Sequence, residues 1–168
     1  MSHLNATPEE RLKIKEIIDD MKFVMMITKN QEGCLHSRPM GTIKTADNLR
    51  CLWFFTSFNS AKTYDISRDE HVNLSYANPD VNTYLSICGT AKIVRDQAKI
   101  NELWTPEVAV WFPKGKEDPQ VCLIEVIPTE VQYWIYPDSK ISQAVEFVKK
   151  LTIGEFAELG KHNVLGLI

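Results

Sequence analysis

Ile14, Ile17, Ile18 and Met21 fall at i, i+3, i+4 and i+7, the spacing of one apolar helix face. Just ahead, Thr7-Pro8-Glu9-Glu10 offers an N-cap threonine, a proline at the first helical position and a capping-box acid. The pattern predicts a helix there. Phe23 to Thr28 reads as a strand, and Asn30-Gln31-Glu32-Gly33 turns it back into a strand from Leu35 to Lys44. Ala46-Asp47-Asn48 is the next turn, leading to a strand from Leu49 to Thr56. Val72, Leu74 and Tyr76 alternate with polar neighbours, the mark of a half-buried strand, and Asn78-Pro79-Asp80 breaks it. Tyr84 to Val94 is a long strand in which Gly89 suits a bulge.

Asp96 caps a helix reaching Trp104, and Thr105 to Pro119 is a loop or short-helix region. Val121 to Tyr136 is the last strand region, where Pro128 needs a break or an edge. Ile141, Ala144, Val145 and Val148 mark a closing helix, and Thr152-Ile153-Gly154-Glu155 is a second capping-box pattern. There is no repeat, low-complexity segment or linker, so residues 1–168 read as a single domain. Consecutive strands with few helices between them argue for an antiparallel barrel over a parallel α/β sheet.

Composition narrows the function classes. A 168-residue chain buries roughly 70% of the surface its unfolded form exposes. With 44% hydrophobic and 24% charged residues, it is neither a disordered nor a membrane composition. A net charge of −3 makes no electrostatic case for nucleic acid or an anionic membrane. No apolar run spans a bilayer, and no basic stretch leads into an apolar core at the N-terminus, so a cytoplasmic protein is expected. Cys34, Cys51, Cys88 and Cys122 fall on predicted strands and read as small apolar core residues in a reducing cytoplasm. No Cys/His pair has ligand spacing, so no metal is expected.

The candidate chemistry lies between His36 and Lys62. His36-Ser37-Arg38-Pro39-Met40 and Leu52-Trp53-Phe54-Phe55-Thr56 are strands, and Ser60-Ala61-Lys62 opens a helix running to about Arg68. Ser60 is a preferred N-cap, and the first N–H groups of the helix lack intrahelical partners. Lys62 in that turn opposes the helix dipole unless an anion is held there. Two basic residues with aromatics between them suit a ligand with a phosphate at one end and a flat ring at the other. Lys62 and Arg38 also read as ordinary surface cations. His36 shares a strand face with Arg38 and reads as a surface residue or a ligand contact. Trp104 and Trp111 read as core plugs or as a lid. No catalytic acid/base pair can be named.

These segments resemble the flavin-binding blocks of the pyridoxamine 5′-phosphate oxidase-like split barrels, in their general stress protein branch. Leu74-Ser75-Tyr76-Ala77-Asn78-Pro79, Ser86-Ile87-Cys88-Gly89-Thr90-Ala91, Glu102-Leu103-Trp104, Trp111-Phe112-Pro113-Lys114-Gly115 and Tyr133-Trp134 extend the likeness over roughly Glu9 to Trp134. The resemblance implies a mainly β fold with flanking helices: a split antiparallel β-barrel of FMN-binding type. It implies a homodimer with shared flavin sites, holding FMN, with FAD as the alternative. By residue, it implies Arg38 and Lys62 at the phosphate, with Ser60 beside them. Pro39 and Met40 pass the ring edge, and Phe55 and Thr56 approach the ring system. Trp104, Trp111 and Phe112 form the aromatic segment that a partner subunit brings over the cofactor. The family's acidic residues around the late Tyr-Trp pair are replaced here by Gln132 and Ile135, so no substrate role carries over to those positions.

The expected function is therefore FMN binding in a flavin-dependent oxidoreductase of unknown substrate. A non-enzymatic flavin carrier or stress sensor is the alternative. Pyridoxamine 5′-phosphate oxidase itself is disfavoured, because Arg95 is the last arginine and that enzyme draws on a C-terminal arginine for its substrate's phosphate. A haem-binding relative would need His36, His71 or His162 as axial ligand.

Overall fold

The computed structural model of the chain describes residues 4–136 and 161–167. A two-residue strand, β1 (Leu4–Asn5), precedes α1 (Pro8–Met21). The capping box forms as expected: the Thr7 hydroxyl accepts from the Glu10 N–H, and the Glu10 carboxylate accepts from the Thr7 N–H at 2.8 Å. Ile14 and Ile18 are buried, and Ile17 and Met21 pack against the same core. Arg11 on the outer side donates to the carbonyls of Ala6, Asn48 and Leu167, tying three distant chain segments together.

β2 (Phe23–Lys29) and β3 (Leu35–Gly41) form an antiparallel hairpin. Its turn uses Gly33 at φ 82°, where an L side chain is strained. The expected strand to Lys44 stops at Gly41. Beyond it the Thr42 N–H turns to the Lys22 carbonyl, and the Ile43 N–H finds the Trp53 carbonyl just ahead of β4 (Lys44–Thr45). β5 (Leu52–Ser57) begins after the expected Leu49, because Asn48 and Leu49 carry φ values of 61° and 55° that no strand accommodates.

The chain continues through α2 (Ala61–Arg68), β6 (His71–Asn78), β7 (Thr83–Val94), α3 (Gln97–Leu103), α4 (Pro106–Trp111), β8 (Val121–Ile135) and β9 (Lys161–Gly166). The sheet runs β1-β9-β8-β7-β6-β2-β3, with β5 also on β8 and β4 on β5. Among the described strands, only β1 against β9 is parallel. β8 is the branch: its first half pairs with β5, its second half with β9, and both halves with β7. The β7–β8 register shifts between Cys88 and Gly89, and Gly89 faces Pro128. A Cβ on Gly89 would lie 2.5 Å from the Ile127 carbonyl oxygen, so the bulge demands glycine. β9 was not anticipated. The expected closing helix and the second capping box lie outside the described residues.

The mostly antiparallel sheet thus curls into a half-barrel with flanking helices. Its interior holds Ile18, Met26, Phe54, Leu74, Leu85 and Ile124. A second cluster lies on the other face of β5, where Trp53 and Phe55 meet Ile100, Leu103 and Val108 from α3 and α4. β5 is buried on both faces from Leu52 to Thr56, which is why Leu52 to Phe55 form an unbroken apolar run. The expectation of four core cysteines holds for Cys122, which is buried, and in part for half-buried Cys51, but fails for Cys34, at the hairpin turn, and Cys88, on the outer face of β7, which are exposed; all are free thiols. No described helix is long and apolar enough to cross a membrane.

Candidate functional site

Among the described residues, β3 pairs with β2 alone, and beyond Trp53 β5 pairs with β8 alone. The two strands therefore present unpaired edges to each other across a seam. Strand edges carry backbone N–H and C=O groups that require partners. A cleft of about 1070 Å³ follows this seam. Pro39, Met40 and Gly41 line it from β3, and Phe55, Thr56 and Ser57 from β5. Lys62 of α2 lies toward the Ser57 end of β5, and Val108, Trp111 and Phe112 form a wall from α4 and its C-cap. Lys15, Asp19 and Lys22 of the α1 end also line it.

The cations beside β3 and α2 are set in a buried polar network. Ser60 is the N-cap of α2, but its side chain makes no capping bond; its hydroxyl lies 3.4 Å from the Thr63 hydroxyl. Lys62, in the first turn, donates from Nζ to the Thr56 hydroxyl at 3.0 Å. Arg38 donates from Nη1 to the Thr28 hydroxyl at 2.6 Å, and the Thr28 hydroxyl donates to Asp65 Oδ2 at 2.7 Å. Arg38 Nη2 stands 3.6 Å from the same carboxylate oxygen. Burial, and then the nearby Arg38 guanidinium, push the Lys62 ammonium below its ordinary pKa. Two cations in a half-buried place destabilise each other, and an anion between them would relieve that.

The aromatic side is built by α4. Thr105 caps it, its hydroxyl accepting from the Val108 N–H at 3.4 Å, and Pro106 takes the first helical position. Phe55 meets Trp104 edge-on, with centroids 5.5 Å apart, and Phe112 at 6.1 Å. Trp104 and Phe112 also touch each other. Trp111, in contrast, is 74% exposed.

Of the expected site residues, Pro39, Met40, Phe55, Thr56, Lys62, Trp111 and Phe112 line the cleft. Arg38 does not; it lies behind Lys62 in the network with Thr28 and Asp65. Ser60 is at the helix start beside the lining, and Trp104 is packed behind Phe55. The aromatic segment was expected over a partner subunit's cofactor; here Trp111 and Phe112 border the cleft of their own chain. His36 and His71 are exposed and outside the lining. Thr28 and Asp65 were missed. Their signals were faint: Asp65 lies one helical turn after Lys62, and Thr28 faces His36, two residues along β2 from Met26, the partner of Arg38. Among the described residues no group of three or more His, Cys, Asp or Glu is placed to hold a metal ion.

These parts fit a phosphorylated flat ring. The Lys62 ammonium stands at one side, with Arg38 near it; strand edges flank the seam, and apolar side chains lie between.

Residues 9–158 match the model of the pyridoxamine 5′-phosphate oxidase like family. The chain is 31% identical over 149 residues to protein bli-3 of Neurospora crassa, an overlap of 83% of this chain and 71% of that protein. The general stress FMN/FAD binding protein of Xanthomonas citri superposes with a TM-score of 0.67 at 28% identity, over 77% of this chain and 90% of that one. General stress protein 26 of Bacillus anthracis str. Sterne superposes with a TM-score of 0.64 at 25% identity, over 73% and 92%.

Proposed function

The chain belongs to the pyridoxamine 5′-phosphate oxidase like family, and we propose that it binds FMN in the seam between β3 and β5 and serves a flavin-dependent redox reaction. The observation that carries this reading is the Lys62 ammonium on the cleft lining, bonded to the Thr56 hydroxyl at 3.0 Å, with the Arg38 guanidinium held on Thr28 near it. The solved general stress relative from Xanthomonas citri, described as FMN/FAD binding, supports the same cofactor class. When bound, a flavin supplies the redox chemistry itself. Lys62 and Arg38 hold the phosphate, with the α2 start at Ser60 beside it. Pro39, Met40, Phe55 and Thr56 seat the ring along the strand edges, and Trp111 and Phe112 exclude water, backed by Trp104. No residue of the chain needs to be a general acid for that role.

The proposed assembly is a homodimer with shared flavin sites. Phe23, Met25 and Leu35 on the hairpin, with Val110 and Trp111 on α4, are exposed large apolar side chains of the kind a second copy covers. Sedimentation should show a dimer that FMN tightens and dilution loosens. A stable monomer with full FMN affinity would remove the shared-site model.

The deciding experiment is the absorption spectrum of the purified protein, followed by titration with FMN, FAD and riboflavin. Flavin bands and tighter binding of FMN than of riboflavin are expected. A Soret band, or no flavin affinity, overturns the reading. Oxidation of NADH or NADPH with added FMN then separates an enzyme from a flavin carrier.

A further inference from the structure

We propose that Asp65, acting through Thr28, is a positioning residue that aims Arg38 at the flavin phosphate, an inference that rests on the FMN reading above. Three elements converge to make the device: Asp65 from α2, Thr28 from β2 and Arg38 from β3. Asp65 is only 4% exposed and Thr28 1%. A carboxylate held so far from water needs partners, and breaking a buried pair leaves an uncompensated charge.

The bond directions are determined by chemistry. An ionised carboxylate only accepts, so the single Thr28 hydroxyl proton goes to Asp65 at 2.7 Å. The Thr28 oxygen then has lone pairs left, and Arg38 Nη1 donates to it at 2.6 Å. With Nη2 at 3.6 Å from the same carboxylate, one edge of the planar guanidinium is anchored. Arginine has five N–H donors in a rigid fork, so anchoring one edge orients the remainder. It also counters the repulsion from Lys62 that would push the guanidinium away.

Simple charge counting predicts the opposite outcome. Asp65 is an anion near a phosphate site, so removing its charge should tighten FMN binding. A positioning role predicts weaker binding, and the sign decides. The experiment titrates FMN and riboflavin against the wild-type protein, Asp65→Asn, Thr28→Val and Thr28→Ser at one fixed salt concentration. Asp65→Asn and Thr28→Val should each weaken FMN about 10-fold. Riboflavin affinity should stay unchanged, and Thr28→Ser, which keeps the hydroxyl, should behave as wild type. FMN affinity unchanged or tightened in both disabling variants overturns the proposal. So does an equal loss of FMN and riboflavin, which marks a merely structural role. If Asp65→Asn does not fold, the Thr28 pair alone decides, because serine and valine differ there in the hydroxyl. A wild-type protein that does not distinguish FMN from riboflavin instead brings down the FMN reading, and this proposal with it.

Discussion

On the β3–α2 side of the cleft, Arg38, Thr28 and Asp65 are held by short hydrogen bonds among themselves, and Lys62 by one to Thr56. On the α4 side, Phe55, Trp104 and Phe112 form a packed aromatic cluster, while Trp111 and Val110 beside them are mostly exposed. The polar side is ordered by its own bonds before any ligand arrives. The aromatic side is anchored at its base and open at its rim. A cleft of this kind offers a preorganised anchor for a charged group and an unfinished cover for a ring, and binding or assembly would complete the cover.

The comparison breaks most severely at the base of the aromatic wall. Phe55 is 8% exposed and touches both Trp104 and Phe112. Phe55→Ala should cost about 3–5 kcal/mol of stability in denaturant unfolding. A loss below about 1 kcal/mol would show that the wall is not packed as described.

Lys62→Ala should come next. Charge-assisted hydrogen bonds contribute roughly 1.5–3 kcal/mol, so FMN affinity should fall about 10- to 100-fold. Riboflavin, without the phosphate, should bind the mutant and the wild type alike. Equal losses for both ligands would move the phosphate elsewhere.

At the rim, Trp111→Leu should change stability by no more than about 0.5 kcal/mol, as expected of an exposed position. Its effect should appear in emission instead. Indole donates an electron to an excited flavin, so bound FMN should be dim in the wild type and brighter in the mutant. Unchanged emission with Trp104 still present calls for the double mutant. If that too stays dim, Trp111 is not part of the cover.

The smallest effect concerns pH. Lys62 titrates below the ordinary lysine value of 10.5 in the folded chain. Between the depressed value and 10.5 the unfolded chain therefore binds more protons than the folded one. Stability of the ligand-free protein should rise with pH through that window, against the background of other groups. FMN affinity should fall through the same window, as the phosphate loses its ammonium partner. Lys62→Met should abolish both slopes. Slopes that survive the mutation would assign them to another group.

Local elements were legible because their causes are local. The α1 capping box joins residues three positions apart, and α2 starts at Ser60 as its N-cap propensity indicates. The Gly89 bulge and its facing Pro128 were both anticipated as irregularities, since neither residue suits a regular central strand. The end of β3 was misjudged. Its apolar and polar pattern runs on, but its backbone partner does not: the Thr42 N–H finds the Lys22 carbonyl instead. The aromatic segment was half legible. Its composition promised either core plugs or a lid, and the fold uses Trp104 as the first while leaving Trp111 at the rim.

By itself, the sequence determined the kinds of elements, their order and the residue types gathered around the seam. It did so through caps, periodicity and turn residues, which act over a few positions and need no distant partner. Only the tertiary structure decided which strand edges stay unpaired, and so where a cleft opens. It also decided what Arg38 meets. Thr28 and Asp65 are 37 positions apart, and Arg38 reaches Thr28 across 10. Nothing in the local pattern distinguishes a buried carboxylate from a solvated one. That distinction comes from the water excluded when β2, β3 and α2 close on one another, and exclusion of water is a property of the assembled fold.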